Sequence, residues 1–229
     1  RDLEVLMNAR AKEDVIVRSF SGGVFNQNGF VVSCAGTRAA ILVDPGAAVA
    51  RMLETVETGR LSVEAIVLTH AHIDHVEGVA AARRATAAPI WMHRDDEQLY
   101  RSVSLQGQWF GVQVEQPPPV DHYFDEGDLI EFGDCSLRVR FTPGHAPGHV
   151  ILVGDGLALV GDCVFNGSIG RTDLPGGDLE TLMTSIREKI LSLPDETVLY
   201  PGHGPETTVG HERVSNPFLI PHYGGSSFA

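Results

Sequence analysis

The sequence predicts a layered α/β fold in which β-sheets are covered by helices. Short runs rich in Val, Ile, Leu and Phe alternate with turn signals that contain Gly and Pro, and stretches with helical spacing of apolar residues lie between them. Strand candidates outnumber helix candidates, and the two kinds are interspersed along the chain. This arrangement is typical of sheets flanked by helices.

Length and composition predict one packed domain over residues 1–229, with an N-terminal extension at 1–14 and a C-terminal tail at 220–229. The chain has 229 residues, of which 43% are hydrophobic and 21% charged. These values are ordinary for a globular protein and exclude disorder, collagen-like repeats and coiled coil.

Charge and hydropathy argue against several classes of partner. Lys and Arg number 17 against 30 Asp and Glu, a net charge of −13, which disfavours a nucleic-acid surface. No apolar stretch approaches the ~18–20 residues needed to cross a bilayer, and the N-terminus lacks the layout of a signal peptide. We therefore expect a cytoplasmic protein without nucleic-acid or membrane partners, and the sequence leaves monomer and homodimer open.

In the first half, the predicted strands are 15–17, 30–32, 40–43, 65–68 and 89–92, and the predicted helices are 47–58 and 76–86. The turn signal Asp44-Pro45-Gly46 closes the third strand, because Pro fixes φ and Gly permits a positive φ. Gly59 is expected just after the end of the first helix.

In the second half, 107–128 is expected to be irregular and to cross the surface, because it contains Pro117-Pro118-Pro119. Predicted strands are 129–132, 136–141, 149–153, 157–160 and 197–200. Gly154-Asp155-Gly156 predicts a hairpin. Asp178 is expected to cap a helix whose apolar side runs from Leu179 to Ile190.

Histidine is unusually frequent, with ten residues, and four potential metal ligands are concentrated in one loop. His70, His72, Asp74 and His75 follow directly after a buried predicted strand. Imidazole nitrogens and carboxylate oxygens are ligands that zinc, iron and manganese share. The three cysteines (Cys34, Cys135 and Cys163) are odd in number and widely spaced, which argues against a disulfide framework and against a thiolate zinc site.

Three further candidate ligands occur where a predicted strand ends in a turn that contains Gly or Pro. They are His145, Asp162 and His203. Such turns let a polar side chain leave the sheet at its rim. Together with the first loop they supply five His and two Asp, enough for two metal ions if one carboxylate bridges.

The motifs in this order resemble the metallo-β-lactamase-fold hydrolases. The resemblance rests on Thr69–His75 with Gly78, followed by His145, Asp162 and His203. A second group of strings is similar to the short glyoxalase II-like branch, the hydroxyacylglutathione hydrolases: Gly170-Arg171-Thr172-Asp173, Pro175-Gly176-Gly177-Asp178, Pro201-Gly202-His203-Gly204-Pro205, Glu212-Arg213 and Asn216-Pro217-Phe218. The resemblance implies a four-layer αβ/βα sandwich, two mixed sheets flanked by helices, with a binuclear metal centre at one rim.

The resemblance also implies the roles of the candidate ligands. One site takes His70, His72 and His145, the other takes Asp74, His75 and His203, and Asp162 bridges them. Asp74 is in addition expected to act in catalysis. Two divalent ions per chain are expected, zinc first, with iron or manganese as alternatives.

Such a centre is suited to hydrolysis, because two divalent ions lower the pKa of a shared water toward ~7 and polarise a carbonyl. A thioester suits it because the leaving thiolate has a pKa near ~8.5 and departs with little help from a general acid. The predicted function is hydrolysis of a glutathione-type thioester, such as S-lactoylglutathione. Full-length glyoxalase II carries an additional C-terminal helical domain that binds the glutathione part, so the resemblance specifies the reaction class more than the thiol carrier.

The remaining candidates have a structural interpretation beside a functional one. Arg171 is predicted to bind a substrate carboxylate, although an ion pair with Asp173 explains it equally well. His93 is expected to cap a turn or lie on the surface. The other histidines are expected to be surface or packing residues: His122, His149, His211 and His222. Aromatic residues that are expected to line the pocket or pack in the core are Phe25, Trp109 and Phe110.

Three alternative functions stay open from the sequence. Persulfide dioxygenases share the fold and use a single iron held by two His and one Asp, but they have Pro-Ala-His-Asp where this chain has Pro201-Gly202-His203-Gly204. A nuclease of the same superfamily is disfavoured by the excess of acidic residues. A metal-stabilised binding protein without catalysis would unfold when its metal is chelated.

Overall fold

The computed structural model describes residues 15–220, so the predicted extension at 1–14, nearly all of the predicted tail, and His222 lie outside the described residues. The first half contains six strands: β1 (Val15–Gly22), β2 (Gln27–Cys34), β3 (Ala39–Val43), β4 (Ser62–Val67), β5 (Ile90–Met92) and β6 (His122–Tyr123). They form one mixed sheet in the order β1-β2-β3-β4-β5-β6. The first three are antiparallel and the remaining neighbours are parallel.

The second half contributes eight strands: β7 (Leu129–Phe132), β8 (Cys135–Phe141), β9 (Val150–Gly154), β10 (Leu157–Gly161), β11 (Val164–Phe165), β12 (Ser168–Ile169), β13 (Val198–Pro201) and β14 (Thr207–Thr208). Six of them form the second mixed sheet, in the order β14-β13-β10-β9-β8-β7, while β11 and β12 form a small hairpin of their own. Only the β10–β13 pair in this sheet is parallel.

Helices cover the outer face of each sheet. They are α1 (Val49–Gly59), α2 (Ile73–Val76), α3 (Val79–Thr86), α4 (Glu97–Arg101), α5 (Val103–Phe110), α6 (Leu179–Ser185) and α7 (Val209–Ser215). A 3₁₀ turn at Arg94–Asp96 precedes α4, and a π-type turn at Ile186–Ile190 extends α6. Within residues 15–220 no helix combines the length and the apolar character needed to cross a membrane.

Three apolar clusters separate four layers, because alternate strand residues point to opposite faces of each sheet. Phe30 and Val32 of β2 face the second sheet and pack in one cluster with Leu137 and Leu152, whereas Val31 faces the helices on the other side. A third cluster joins the outer face of the second sheet to α6, where Leu182 is fully buried. The four-layer sandwich of two mixed sheets flanked by helices is thus confirmed.

Most predicted elements are present, with shifted ends. The hairpin at Gly154-Asp155-Gly156 joins β9 to β10, and Asp178 caps α6 by accepting a hydrogen bond from the Thr181 amide at 2.8 Å. Two predictions about the ends of helices were wrong. Helix α1 includes Gly59 and ends at Arg60, which has the left-handed conformation. The predicted helix 76–86 is interrupted at Gly78, whose amide donates to the Pro45 carbonyl at 2.9 Å and not to a carbonyl of the preceding turn.

The irregular segment predicted at 107–128 is shorter than expected. Helix α5 continues to Phe110, and β6 lies at its other end. The proline stretch connects them across the surface, and the Pro118 carbonyl accepts a hydrogen bond from the Tyr100 hydroxyl at 2.7 Å. Residues 94–110, to which the sequence assigned no helix, form the 3₁₀ turn, α4 and α5.

The expectation that the cysteines form no disulfide was wrong. Cys34 at the end of β2 and Cys135 at the start of β8 form a disulfide, with Cα atoms 5.6 Å apart. The two residues are 101 positions apart in sequence but meet because their strands lie in the two facing sheets. Cys163 is buried and free, as expected for a packing residue.

Candidate metal centre

All seven predicted ligands lie at one rim of the sandwich. The loop His70–His75 follows β4, and the other three ligands follow strands of the second sheet: His145 after β8, Asp162 after β10 and His203 after β13. Because β4, β10 and β13 end at this rim, side chains that are far apart in sequence meet there. Six of the seven side chains are largely buried, and His203 is half-buried.

The first loop is held by a buried carboxylate that the sequence analysis treated only as part of a turn. Asp44 accepts hydrogen bonds from the Thr69 amide at 2.7 Å and from the Thr69 hydroxyl at 2.6 Å. Its Oδ2 atom also lies 2.9 Å from His75 Nδ1. Since Nδ1 donates to Asp44, the Nε2 atom of His75 is left free to face the centre.

The seven residues form overlapping groups whose potential ligand atoms lie within 4.8 Å of one another. The groups are His70, His72 and His145; His70, His75 and Asp162; and Asp74, His75 and His203. The first and third are the two ligand sets that the resemblance implies. Their assignment as metal ligands stays a prediction, and the structure brings every member together.

Asp162 lies between the two predicted ligand sets. Its Oδ1 atom is 3.3 Å from His75 Nε2, and its Oδ2 atom is 3.4 Å from both His145 Nε2 and His203 Nε2. Each carboxylate oxygen therefore faces imidazole nitrogens of the predicted sets. This is the arrangement that a bridging carboxylate requires.

Several buried polar atoms here have no hydrogen-bond partner among the described residues. They are His70 Nε2, His72 Nε2, and the pair His75 Nε2 and Asp162 Oδ1, which face each other at 3.3 Å without hydrogen-bond geometry. A buried polar atom without a partner costs free energy, and its occurrence calls for an explanation such as a bound ion. Four such atoms at one rim, all of types that bind divalent metals, fit a metal centre.

The protonation states of His70 and His72 suit metal binding. Burial, with the charges of neighbouring histidines, lowers the pKa of His70 well below its usual value. Burial lowers the pKa of His72 to about 3. Both rings are therefore neutral at pH 7, and neutral imidazole is the form that binds a metal.

The second predicted set has the opposite electrostatics. Burial opposes protonation of His203, but hydrogen bonds to Asp162 and Asp74 raise its pKa to about 9. Despite burial, the charges of Asp162 and Asp44 also raise the pKa of His75. The same contacts lower the pKa values of Asp74 and Asp162 against the effect of their burial. Without a metal, this half of the centre holds protons in place of a cation.

Two further buried side chains brace the loops and were missed by the sequence analysis. Asp96 accepts hydrogen bonds from the Ala71 amide at 2.8 Å and from the Gly148 amide, so it ties the first loop to the loop of His145. Gln106 accepts from the Ile73 amide at 3.0 Å and donates to the Ala71 carbonyl at 3.2 Å. Each acts on residues 25 to 52 positions away, so sequence spacing gave no signal.

The loop of His203 is held by the first sheet. Asn28 Nδ2 donates to the carbonyls of Pro201 at 3.0 Å and Gly204 at 2.8 Å. The Asn28 amide donates to Gly202 at 2.7 Å. Gly202 is required by close approach, since a Cβ there would lie 2.2 Å from Asp162 Oδ1.

Arg171 forms a bidentate ion pair with Asp173, with both bonds at 2.7 Å. The pair is exposed, and its hydrogen bonds lower the pKa of Asp173 to about 2. The Arg171 carbonyl accepts from His145 Nδ1 at 2.7 Å and so orients that ring. The ion pair that the structural interpretation of Arg171 expects is thus formed, and a substrate role for Arg171 stays a prediction.

The other histidines divide into two groups. His93 caps the 3₁₀ turn by accepting from the Asp95 amide at 3.2 Å, and His122 and His211 are exposed, as expected. His149 is fully buried and lies 3.0 Å from the Asp162 amide. His149 therefore contacts Asp162, a predicted ligand. This role of His149 was not predicted, because no ligand-like pattern surrounds His149 in the sequence.

An aromatic group lies beside the centre. Phe25 and Phe110 pack edge to face with ring centres 5.4 Å apart, and the Phe25 carbonyl lies 3.1 Å from His203 Nδ1. Trp109 is 60% exposed and Phe110 39% exposed, so these two do not belong to the core. Phe165 packs on His203 from another direction, at 5.7 Å.

Comparison with protein families matches residues 22–203 to the metallo-beta-lactamase superfamily. Among curated proteins, the chain is 37% identical over 184 residues to "Hydroxyacylglutathione hydrolase GloC" of Haemophilus influenzae, which covers 79% of this chain and 87% of that protein. It is also 40% identical to "Probable metallo-hydrolase YqgX" of Bacillus subtilis, over 78% of this chain and 86% of that protein.

Solved structures share the fold over nearly the whole chain. BLEG-1 B3 metallo-beta-lactamase superposes with a TM-score of 0.84 at 33% identity, covering 90% of this chain and 100% of that one. TTHA1623 in a di-iron-bound form gives 0.81 at 39% identity, covering 89% and 100%. ETHE1 from Myxococcus xanthus gives 0.75 at 25% identity, covering 88% and 83%.

Proposed function

The chain belongs to the metallo-beta-lactamase superfamily, and from this premise we propose that it hydrolyses a glutathione-type thioester, such as S-lactoylglutathione, to a hydroxyacid and a free thiol. The observation that carries the proposal is the position of Asp162, whose two oxygens face the nitrogens of both predicted ligand sets at 3.3–3.4 Å. The relative named as a hydroxyacylglutathione hydrolase supports the substrate class.

The predicted ligands would hold two divalent ions, His70, His72 and His145 on one side and Asp74, His75 and His203 on the other, with Asp162 between. When bound, the ions would lower the pKa of water and polarise the thioester carbonyl. Zinc is our first proposal, and the di-iron form of one structural neighbour keeps iron as an alternative.

The protein's own groups would orient the metal ligands and accept the proton of the attacking water. Asp44, Asp96 and Gln106 fix the loop of the first four ligands before any substrate binds, which is the preorganisation that catalysis needs. Asp74 Oδ2 lies 3.2 Å from His203 Nε2, and the charge of His75 with this contact lowers its pKa despite burial. Ionised at neutral pH, Asp74 is suited to accept a proton from an attacking water at Oδ2. A leaving thiolate with a pKa near ~8.5 departs without a general acid.

One observation favours a second candidate function. His70, His75 and Asp162 by themselves form a group of two histidines and one carboxylate. Such a triad suits a single non-haem iron with open positions, and ETHE1 from Myxococcus xanthus is a structural neighbour. Persulfide dioxygenation with one iron is therefore the alternative.

The test combines metal content with a substrate panel. Protein loaded separately with zinc, iron(II) and manganese is analysed for metals per chain and assayed with glutathione thioesters, glutathione persulfide with an oxygen electrode, and a β-lactam. We expect two metals per chain and loss of thioester absorbance that His72→Ala abolishes. One iron with oxygen uptake on the persulfide would support the alternative. Equal thioester hydrolysis by wild type and His72→Ala would refute the proposal.

A further inference from the structure

His149 contacts the backbone of Asp162, the predicted bridging residue. Its Nε2 atom lies 3.0 Å from the Asp162 amide nitrogen. An amide N–H can only donate, so Nε2 must be the acceptor and the ring proton must lie on Nδ1. Nδ1 lies 2.8 Å from the Thr142 hydroxyl, which accepts it. The two contacts fix both the tautomer and the orientation of the ring.

The backbone around His149 connects all the ligand loops of the first predicted set. The Thr142 amide donates to the His149 carbonyl at 2.8 Å, which closes the loop that carries His145. The next residue, Val150, donates to the Thr69 carbonyl at 2.8 Å, just before His70. The His149 ring also lies against the His70 ring, with centres 5.0 Å apart. A shift of His149 would therefore move several of the predicted ligands.

Gly161 makes room for this contact. A Cβ on Gly161 would lie 2.7 Å from His149 Nε2 and 2.6 Å from the Thr69 hydroxyl, and the residue has a φ of +48°. The same turn directs Asp162 out of β10 toward the centre. Close approach and backbone conformation thus both require glycine at the position that lets His149 reach Asp162.

We propose that His149 is a positioning residue that holds Asp162 between the two ligand sets and thereby sets the affinity for the metal pair. Residues that orient metal ligands typically change affinity or activity by 10–100-fold when they are replaced. The inference rests on the proposed metal centre but not on the thioester as substrate. Its readout is metal binding, so failure of the thioester assay leaves it testable.

The test uses substitutions that separate the two contacts of the ring. In His149→Gln, the side-chain oxygen can reach the position of Nε2 and accept from Asp162. In His149→Asn, the oxygen reaches only the position of Nδ1, so the Asp162 contact is lost. His149→Leu removes both contacts at similar volume. Ser185→Ala is the matched control, because it deletes a partly buried hydrogen bond to Pro143, in the loop that carries His145, without touching Asp162.

Metal affinity is measured by competition with a chromophoric chelator, metals per chain by elemental analysis, and ligand geometry by the visible spectrum of the cobalt(II) form. We expect His149→Leu and His149→Asn to bind metal at least about tenfold more weakly, with an altered cobalt spectrum. His149→Gln and Ser185→Ala should stay within about threefold of wild type.

Thermal unfolding identifies variants that fail to fold. If His149→Leu does not fold, the Gln and Asn variants decide. Equal affinities and spectra for His149→Gln, His149→Asn and wild type would overturn the proposal. A wild-type protein that binds no metal pair would instead refute the metal centre itself.

Discussion

The two rims of the sheet sandwich are closed in different ways. At one rim, buried histidines and aspartates meet, and their loops are held by hydrogen bonds that Asp44 and Asp96 accept and that Asn28 donates. At the opposite rim, about 23 Å away along the eight-residue strand β2, the Cys34–Cys135 disulfide joins the two sheets. The disulfide is one covalent bond between two residues, whereas the loops at the polar rim are held by many separate hydrogen bonds.

The difference predicts that metal binding and catalysis depend on the polar rim and that stability depends on the disulfide rim. Unpartnered buried atoms lie at the polar rim, where they cost free energy unless an ion binds. The disulfide rim has no comparable group of buried titratable residues among residues 15–220. We expect substitutions at the polar rim to change metal binding and catalysis, and substitutions at the disulfide rim to change stability.

The largest expected effect is at Asp162. Asp162→Asn keeps the size of the side chain and removes the charge that both ligand sets face. We expect thioester hydrolysis to fall at least ~10³-fold, since a bound metal contributes several kcal/mol to transition-state stabilisation. The matched control is Asp134→Asn, an exposed aspartate beside Cys135 at the other rim, which should leave the rate unchanged. Steady-state assays of both variants check this, and equal rates would contradict the comparison.

The disulfide should show the converse effect. Cys34→Ser combined with Cys135→Ser removes a cross-link between residues 101 positions apart. For a loop of that length the loss approaches ~5 kcal/mol of unfolding free energy in the chain-entropy account. Metal affinity should stay within about threefold, because the rims are distant.

Denaturant unfolding with and without reductant measures the loss, and alkylation without reduction counts free thiols. Three free thiols in the native protein, or a large loss of metal affinity in the double variant, would contradict this expectation.

Metal affinity should depend on pH, because ligands at the polar rim must lose protons before a metal binds. His203 has a pKa of about 9 without metal, so at pH 7 a proton must leave before a metal binds there. The pKa of His75 is also raised, so a second proton must leave. Affinity should therefore rise at least about tenfold per pH unit between pH 6 and 9. His72, with a pKa of about 3, adds nothing to this slope.

Competition titrations at four pH values, with calorimetry in two buffers to count released protons, measure the slope. The double cysteine variant should show the same slope as wild type. A flat profile would mean that neither His203 nor His75 loses a proton to bind the metal.

The smallest effect is expected at Arg171. Its ion pair with Asp173 is exposed, so Arg171→Ala should leave the unfolding free energy nearly unchanged. If Arg171 binds a substrate carboxylate, KM should rise about fivefold with kcat unchanged. Asp173→Asn is the control, because it frees the guanidinium and should not raise KM. An unchanged KM in Arg171→Ala would leave only the structural role.

The sequence was sufficient to predict the layers, most strands and the residues that converge at the polar rim. The seven candidate ligands were found because they cluster or follow strand ends, which is a local signal. Asp44 and Asp96 were missed as supporting residues, because each acts on residues 25 or more positions away in the chain. His149 was missed because no ligand-like pattern surrounds it in the sequence. The disulfide was missed for the same reason, since neither Cys34 nor Cys135 lies in a recognisable spacing.

Short elements were the other failure. Residues 94–110 form three brief helical segments, each too short to show a clear period of 3.6 residues. Helix 76–86 was predicted as continuous because its alanines favour a helix. The break at Gly78 depends on the backbone of Pro45 and Gly46, which approach it from a separate loop.

The contact of Asn28 with the loop of His203 joins residues 173 positions apart. The segment 111–121, between α5 and β6, divides the chain into two parts, with four predicted ligands before it and three after. Neither part alone could form the complete predicted centre, because each supplies only some of the seven residues. Metal binding at the proposed centre would therefore require both parts to have packed together, and would report that contact.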